Sequence, residues 1–484
     1  MTALAAARSR VLVGAAAVLA SILCGIVPTV SAQEAFPRGE IVERLRAGAD
    51  STQTYALYLP SRYEPTRRWP VLFLMDPRGR ALVPLGLFRE AAEEHGYILL
   101  SSYDTRSDGP RKPNETAIQA MASDALSRLS IDTNRLYLAG FSGTAREAWE
   151  FASRIPDHVA GVIGFGAGLQ GAWLDRARAL SGSRAAYFGG GGTTDFNYEE
   201  LRALDAALDE IDIPHRLEYF AGGHQWAPAH LCRRAVAWME LQAMRAGLRA
   251  QDNAWVEASY AEWLQQARSL EESGRPYEAD EAYRYLAADF AGLRDVSEAV
   301  SRAQTLEKSE VVRAAKATLA EMAARRSAFD DELMLISAEL AWKEVLPSVT
   351  EARSRLGLDR LQAEARSATD TLRAQGAQRQ LENAFVQLAY YTPLGLLQRG
   401  KPELALPALD IADAIKPGNP RVCWFRARAF AQAGRASEAL EQIACLTEAG
   451  VTEAVALDED LYLEPLRSDP RYLELLRRMR PGGP

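Results

Sequence analysis

At 484 residues, with 56 basic and 64 acidic side chains and a net charge of −8, the chain lacks the basic stripe of a nucleic-acid binder. Hydrophobic residues make up 48 % of it, enough for compact folding throughout, which excludes a disordered polar chain. Its five histidines and four cysteines form no H-E-x-x-H or C-x-x-C pattern and there is no acidic calcium loop, so no metal and no other cofactor is expected.

The chain opens with Arg8 and Arg10, followed by an almost wholly apolar run from Val11 to Val30. Val30-Ser31-Ala32 then presents the small residues that a signal peptidase reads. Residues 1–32 therefore read as a signal peptide cleaved after Ala32, which predicts export to the periplasm or beyond. No two arginines are adjacent, against the twin-arginine route, and Leu23 before Cys24 is wrong for a lipid anchor. The run is also long enough to span a bilayer, so an uncleaved anchor is the second reading. No other segment is apolar enough to cross a membrane. The ~450 residues that remain are enough for two or three domains.

Residues 33–50 read as a linker, and from 51 to 248 strand and helix signals alternate. The extended run Trp69-Pro70-Val71-Leu72-Phe73-Leu74-Met75 ends at Asp76 and turns into Pro77-Arg78-Gly79-Arg80. Further on, Leu136-Tyr137-Leu138-Ala139 reads as a short strand, Ala145 to Ser153 as a helix, and Gly140-Phe141-Ser142-Gly143 as the tight turn between them. Such a turn exposes a serine in a strained backbone, so residues two positions away must be small. Gly140 meets that requirement. On the other side stands Thr144, where the usual pattern has glycine; it is expected to crowd the turn, and its replacement by glycine to be tolerated.

Two later loops supply partners for the serine. Ala185-Ala186-Tyr187-Phe188 reads as a strand, followed by a loop over Gly189 to Gly192 that leads to Asp195. Arg216 to Phe220 reads as another strand, running into Gly222-Gly223-His224-Gln225-Trp226. Histidine takes and returns a proton near neutrality, and an aspartate beside it holds the tautomer and stabilises the imidazolium. Each residue has an ordinary alternative: Ser142 as a turn residue, Asp195 as a helix cap before Tyr198, His224 as a surface residue. Their order and common placement at strand ends favour a site. His95 and His158 beside helix ends look structural, His215 opens a strand, and His230 is the second candidate for the base. The run of glycines lacks the lysine and Ser/Thr of a phosphate-binding loop.

On the strength of the Gly140–Thr144 turn, the Thr193-Thr194-Asp195 and Gly223-His224-Gln225-Trp226 loops and the Trp69–Asp76 run, residues 51–248 resemble the α/β-hydrolase superfamily. The resemblance is to small secreted esterases related to polyhydroxybutyrate depolymerases, feruloyl esterases and dienelactone hydrolase. It implies a doubly wound, mostly parallel sheet with Ser142, Asp195 and His224 as the catalytic triad. An oxyanion hole would use the backbone N–H of Gly143 and a second N–H from the loop after Asp76. Pro77 has none to give, which leaves Arg78 or Gly79. Trp226 is assigned to substrate binding. Between Gly166 and Ala185 the chain has no room for a long lid, so large or surface-bound esters are reasonable substrates.

After Leu248 the chain turns almost entirely helical. Gly400-Lys401-Pro402-Glu403-Leu404-Ala405 recurs as Gly434-Arg435-Ala436-Ser437-Glu438-Ala439, an offset of 34 residues. Residues 381–484 thus resemble tetratricopeptide repeats closed by a helix from Pro470, and residues 249–380 a helical region with a degenerate unit around Trp263 to Tyr283. The resemblance implies a scaffold that binds a protein partner. Cys423 and Cys445 either pair or sit as buried thiols. The whole then reads as an exported serine esterase with a repeat appendage, and the part before Leu248 is expected to fold and act alone. The alternative is an envelope scaffold with little or no catalysis.

Overall fold

The computed structural model describes residues 36–342, 347–367, 371–452 and 454–479, so the signal-peptide reading lies outside the described residues. Among the described residues no helix is long and apolar enough to cross a membrane. The chain divides into two compact units, the first ending at Lys316 and the second beginning at Ala317.

The first unit is built on one eight-stranded sheet. Its strands are β1 (Ile41–Arg46), β2 (Thr54–Tyr58), β3 (Trp69–Met75), β4 (Ile98–Ser102), β5 (Ile131–Phe141), β6 (Val159–Phe165), β7 (Ala186–Gly192) and β8 (His215–Phe220). They lie in the order β1-β2-β4-β3-β5-β6-β7-β8. Only β2 runs against the rest; its pairings with β1 and β4 are antiparallel, and every other pairing is parallel. The central strands β3 and β6 are buried along their whole length, because a parallel sheet is covered on both faces and needs continuous apolar runs.

Helices α1 (Leu82–His95), α2 (Arg111–Arg128), α3 (Gly143–Arg154), α4 (Leu174–Arg178), α5 (Tyr198–Glu210) and α6 (Ala229–Arg245) cover the sheet. α1 and α6 pack together on one face. α2, α3 and α5 bury Met121, Trp149 and Leu204 with Phe73, Leu138 and Tyr187 on the other. This is the doubly wound α/β-hydrolase class of fold, with strand C-termini and helix N-termini gathered at one edge of the sheet.

Three further helices, α7 (Asn253–Glu272), α8 (Pro276–Phe290) and α9 (Ser297–Glu307), belong to the same unit. Of these, α8 is tied to the sheet and its helices by charged and polar pairs. Arg216 on β8 pairs with Asp289 at 2.6 Å, and Asp289 also accepts from the indole N–H of Trp238 at 2.8 Å. Arg202 on α5 reaches Glu281 at 2.6 Å and the Tyr277 hydroxyl at 2.8 Å. The Tyr285 hydroxyl accepts from the outward N–H of Leu217 and donates to Asp205, so α8 covers the otherwise open edge of β8.

The second unit is helical. The recurrent segments open equivalent helices, Pro402–Ile415 and Ala436–Glu448, with Ala405 and Ala439 fully buried. Gly400 and Gly434 precede them at φ 68° and 75°, the left-handed turn that ends a helix at little cost for glycine. This pairing is compatible with a tetratricopeptide-like array. Cys423 and Cys445 form a disulfide between the helices Pro420–Gln432 and Ala436–Glu448. The tail helix starts at Pro470 as expected and buries Tyr472, Leu476 and Met479 against Ala439 and Ile443.

Candidate active site

Ser142 sits between β5 and α3 with φ 55°, a conformation rare for any residue but glycine. The turn is pinned by its N–H, which donates to the carbonyl of Phe165 at 2.8 Å. A Cβ on Gly140 would stand 2.3 Å from the carbonyl oxygen of Thr144, so only glycine fits there. Thr144 itself does not crowd the turn, contrary to the expectation from sequence. Its fully buried side chain points between β3 and β5. Its hydroxyl accepts from the N–H of Phe141 at 3.1 Å and donates toward the carbonyls of Met75 and Phe141, both at 2.8 Å.

His224 Nε2 lies 2.9 Å from Ser142 Oγ, and His224 Nδ1 lies 3.0 Å from each carboxylate oxygen of Asp195. Asp195 is fully buried and also accepts from the N–H of Asn197 at 2.8 Å, which fixes the carboxylate plane. With the Nδ1 proton on the Asp195 side, Nε2 is free to accept the serine proton. The imidazole packs against the rings of Phe141 and Phe196, at 4.6 and 4.3 Å between centroids.

The loops that carry Asp195 and His224 are laced together. The N–H and hydroxyl of Thr194 both donate to Gly222 O, at 2.9 and 2.8 Å. Gly189 to Gly192, expected as loop, are the last four residues of β7. The approach of neighbouring backbone explains two of them: a Cβ on Gly190 would stand 1.7 Å from Glu218 O, and one on Gly192 2.2 Å from Gly222 O.

The end of β3 departs most from expectation. Asp76 is fully buried and collects five hydrogen bonds from three residues: the Arg80 guanidinium at 3.0 and 2.9 Å, the Trp226 indole at 2.9 Å, and the backbone N–H groups of Arg78 and Arg80 at 2.8 and 3.1 Å. Burial alone would push its carboxyl up, but these bonds outweigh burial and hold it below the ordinary carboxylate range. The N–H of Gly79 donates to Asp76 O at 3.1 Å. Both N–H groups expected to complete an oxyanion hole, on Arg78 and Gly79, are therefore committed to Asp76. Trp226, assigned to substrate binding from the sequence, has a buried ring whose N–H donates to Asp76. Gly143 opens α3 directly after Ser142, so its N–H has no partner within the helix.

The other histidines lie apart from the serine. His230 is exposed in the first turn of α6. His95 is buried, which pushes its pKa down. His158 Nδ1 lies 3.3 Å from Thr133 O. His215 is also buried, but Asp205 at 3.3 Å raises its pKa. Among the described residues no cluster of His, Cys, Asp or Glu has the makings of a metal site. Sequence reasoning gave no role to Asp76 or Phe196 and read Thr144 only as crowding the turn. The one available signal was an acid closing an apolar strand, at Asp76.

No protein-family model and no curated protein matches the sequence. Solved structures similar to part of the chain include the fluorophosphonate-binding serine hydrolase FphF of Staphylococcus aureus, 14 % identical over 42 % of this chain and 99 % of that one, with a TM-score of 0.36. The S-formylglutathione hydrolase FrmB of the same organism is 16 % identical over 42 % of this chain and 99 % of that one, with a TM-score of 0.35. Est1E of Butyrivibrio proteoclasticus is 14 % identical over 39 % and 94 %, with a TM-score of 0.33.

Proposed function

We propose that the protein is an exported serine hydrolase that cleaves carboxylic esters through an acyl-enzyme on Ser142. The observation that carries this reading is the continuous hydrogen-bond chain from Ser142 Oγ through both ring nitrogens of His224 to the buried Asp195. Ser142 Oγ attacks the ester carbonyl while its proton passes to His224 Nε2. His224 returns that proton to the leaving alkoxide, and water then repeats the sequence on the acyl group. Asp195 holds the ring and stabilises the imidazolium, and Gly143 N–H binds the developing oxyanion.

The stretch from β6 to β7 holds only short helical pieces, Gly171–Trp173 and α4, so nothing there closes over the serine as a lid. An open site suits large or surface-bound esters. Export rests on the charge and apolar pattern of residues 1–32, and the Cys423–Cys445 disulfide is in keeping with an oxidising compartment. The helical repeats are the natural place for a protein partner. A fluorophosphonate probe on the purified full chain tests the central claim. Ser142 is expected to be labelled, with 4-nitrophenyl acetate hydrolysed and Ser142→Ala inert in both assays. A folded chain that neither takes the probe nor turns over the ester would make the protein a scaffold.

A further inference from the structure

The loop from β4 to α2 comes up against Gly143, the residue after the serine. Its anchor is mutual with the Asp76 loop: Ser107 N–H donates to Pro77 O at 3.0 Å, and the Thr105 hydroxyl donates to Asp76 O at 3.0 Å. Arg106 N–H donates to the buried Asn114, whose amide returns a bond to Arg106 O at 2.7 Å. The backbone on both sides of Ser107 is thereby held, and its side chain is delivered against the first residue of α3. A Cβ placed on Gly143 would lie 2.5 Å from Ser107 Cβ and 3.5 Å from Ser107 Oγ. Ser107 thus occupies the space that a side chain at 143 would claim. That leaves glycine as the residue that fits there, and it puts a hydroxyl beside the N–H that follows the nucleophile.

An oxyanion formed on attack by Ser142 carries a full negative charge and needs at least two donors in a site of low polarity. Gly143 N–H is one. The turn directly after β3 has no second to offer as it stands: Pro77 lacks an N–H, and those of Arg78, Gly79 and Arg80 all point at Asp76. The backbone N–H of Ser107 is committed to Pro77. What remains against Gly143 is the Ser107 hydroxyl, which donates to the exposed Asp108 carboxylate at 3.1 Å. A hydroxyl rotor turns between acceptors without moving the backbone, and a developing alkoxide next to it is a strong competitor for its proton.

We infer that Ser107 is a catalytic residue whose hydroxyl is the second donor of the oxyanion hole. This rests on the proposed role of Ser142. In the acylation step the Ser142 Oγ–carbon bond forms, the carbonyl π pair moves onto oxygen and the serine proton passes to His224 Nε2. The new O⁻ then accepts hydrogen bonds from Gly143 N–H and Ser107 Oγ–H. No bond to Ser107 forms or breaks, and its proton stays on its own oxygen. Collapse of the intermediate returns the hydroxyl to Asp108.

The test uses the full chain with 4-nitrophenyl acetate as substrate and phenylboronic acid as a tetrahedral mimic. Boron bonds to Ser142 Oγ and places a hydroxyl where the oxyanion forms. Ser107→Ala is expected to lower kcat by roughly 10²- to 10³-fold with KM changed by less than about threefold, as for loss of one oxyanion donor. Affinity for the boronate should fall along with kcat. Ser107→Cys keeps a weaker donor of similar shape and should fall between the wild type and Ser107→Ala in both readouts. Thermal melting of the three proteins separates this from misfolding, and a melting point lowered with kcat and boronate affinity intact would assign Ser107 to structure alone. Wild-type kcat in Ser107→Ala, with Ser142→Ala inert, would overturn the assignment and leave the serine mechanism standing. Activity surviving in Ser142→Ala would overturn the mechanism itself.

Discussion

The hydroxyl of Thr144 lies 2.8 Å from the carbonyl of Met75, so the first turn of α3 is tied to the last residue of β3 across the strand that carries Ser142. Threonine therefore has a positive role where the elbow pattern has glycine. Thr144→Val keeps the shape and loses the hydrogen bonds of the hydroxyl. It should cost about 1–3 kcal/mol of stability, read from urea unfolding. Thr144→Gly adds a cavity and a freer turn, so it should be worse, with lower esterase activity rather than the gain that crowding would imply. Unchanged unfolding midpoints in both variants would remove this role.

The proposed triad makes unequal demands on its members. Ser142→Ala and His224→Ala should each abolish ester turnover while the fold survives. Asp195→Asn keeps the shape but turns the imidazole to the wrong tautomer, so a loss of about 10⁴ in kcat is expected. His230→Ala should leave kcat near wild type, because His230 is exposed in the first turn of α6. A result in which His230→Ala is inert and His224→Ala active would reverse the assignment of the base.

Asp289 moves the limit of autonomous folding. The Arg216 and Asp289 side chains are only 6 % and 4 % exposed, and removing one partner of a buried pair strands the other. Burial pushes the Asp289 carboxyl up, but its bonds to Arg216 and Trp238 work against that. Asp289→Ala should cost about 3 kcal/mol, moderated by the second partner of Arg216, Glu218 at 2.5 Å. A fragment ending at Leu248 loses this pair, the cover on β8 and the partners of Arg202 together. It should aggregate, whereas a fragment ending at Lys316 should be soluble and keep activity on small esters. A soluble, active fragment ending at Leu248 would show that α7 and α8 are dispensable.

Glu150 on α3 gives the sheet unit an acid-sensitive point. Its carboxylate meets Arg111 at 2.5 Å, Arg154 at 2.9 Å and Arg176 at 2.6 Å. Burial pushes its pKa up, but these guanidinium groups outweigh burial and hold it at about 2, below the ordinary value of 4.5. A lowered carboxyl contributes stability that is complete above its unfolded value and is lost as pH falls through the folded one. Unfolding free energy should therefore decline from about pH 4.5 toward pH 2, and Glu150→Gln should flatten that decline while lowering stability at neutral pH. Glu147, one turn back, is pushed up by burial and by Glu150, and offsets part of the slope. Parallel denaturation curves for Glu150→Gln and wild type across that range would rule Glu150 out as the source.

What the sequence determined by itself was local. Gly140 and Ser142 between an apolar strand and a helix, Asp195 and His224 beyond later strands, and the 34-residue recurrence of Gly400 at Gly434 are short-range patterns. Strand period, turn chemistry and helix caps act over a few residues and can be read from them. The tertiary structure decided the rest. Asp76 meets Trp226 across 150 positions, Arg216 meets Asp289 across 73, and Thr144 meets Met75 across 69. Which N–H a buried carboxylate claims, and hence which donor is left for an oxyanion, depends on how loops from different strands meet at one edge of the sheet. That meeting is set by long-range packing and by the need of each buried polar group for a partner, neither of which leaves a fixed spacing in the chain.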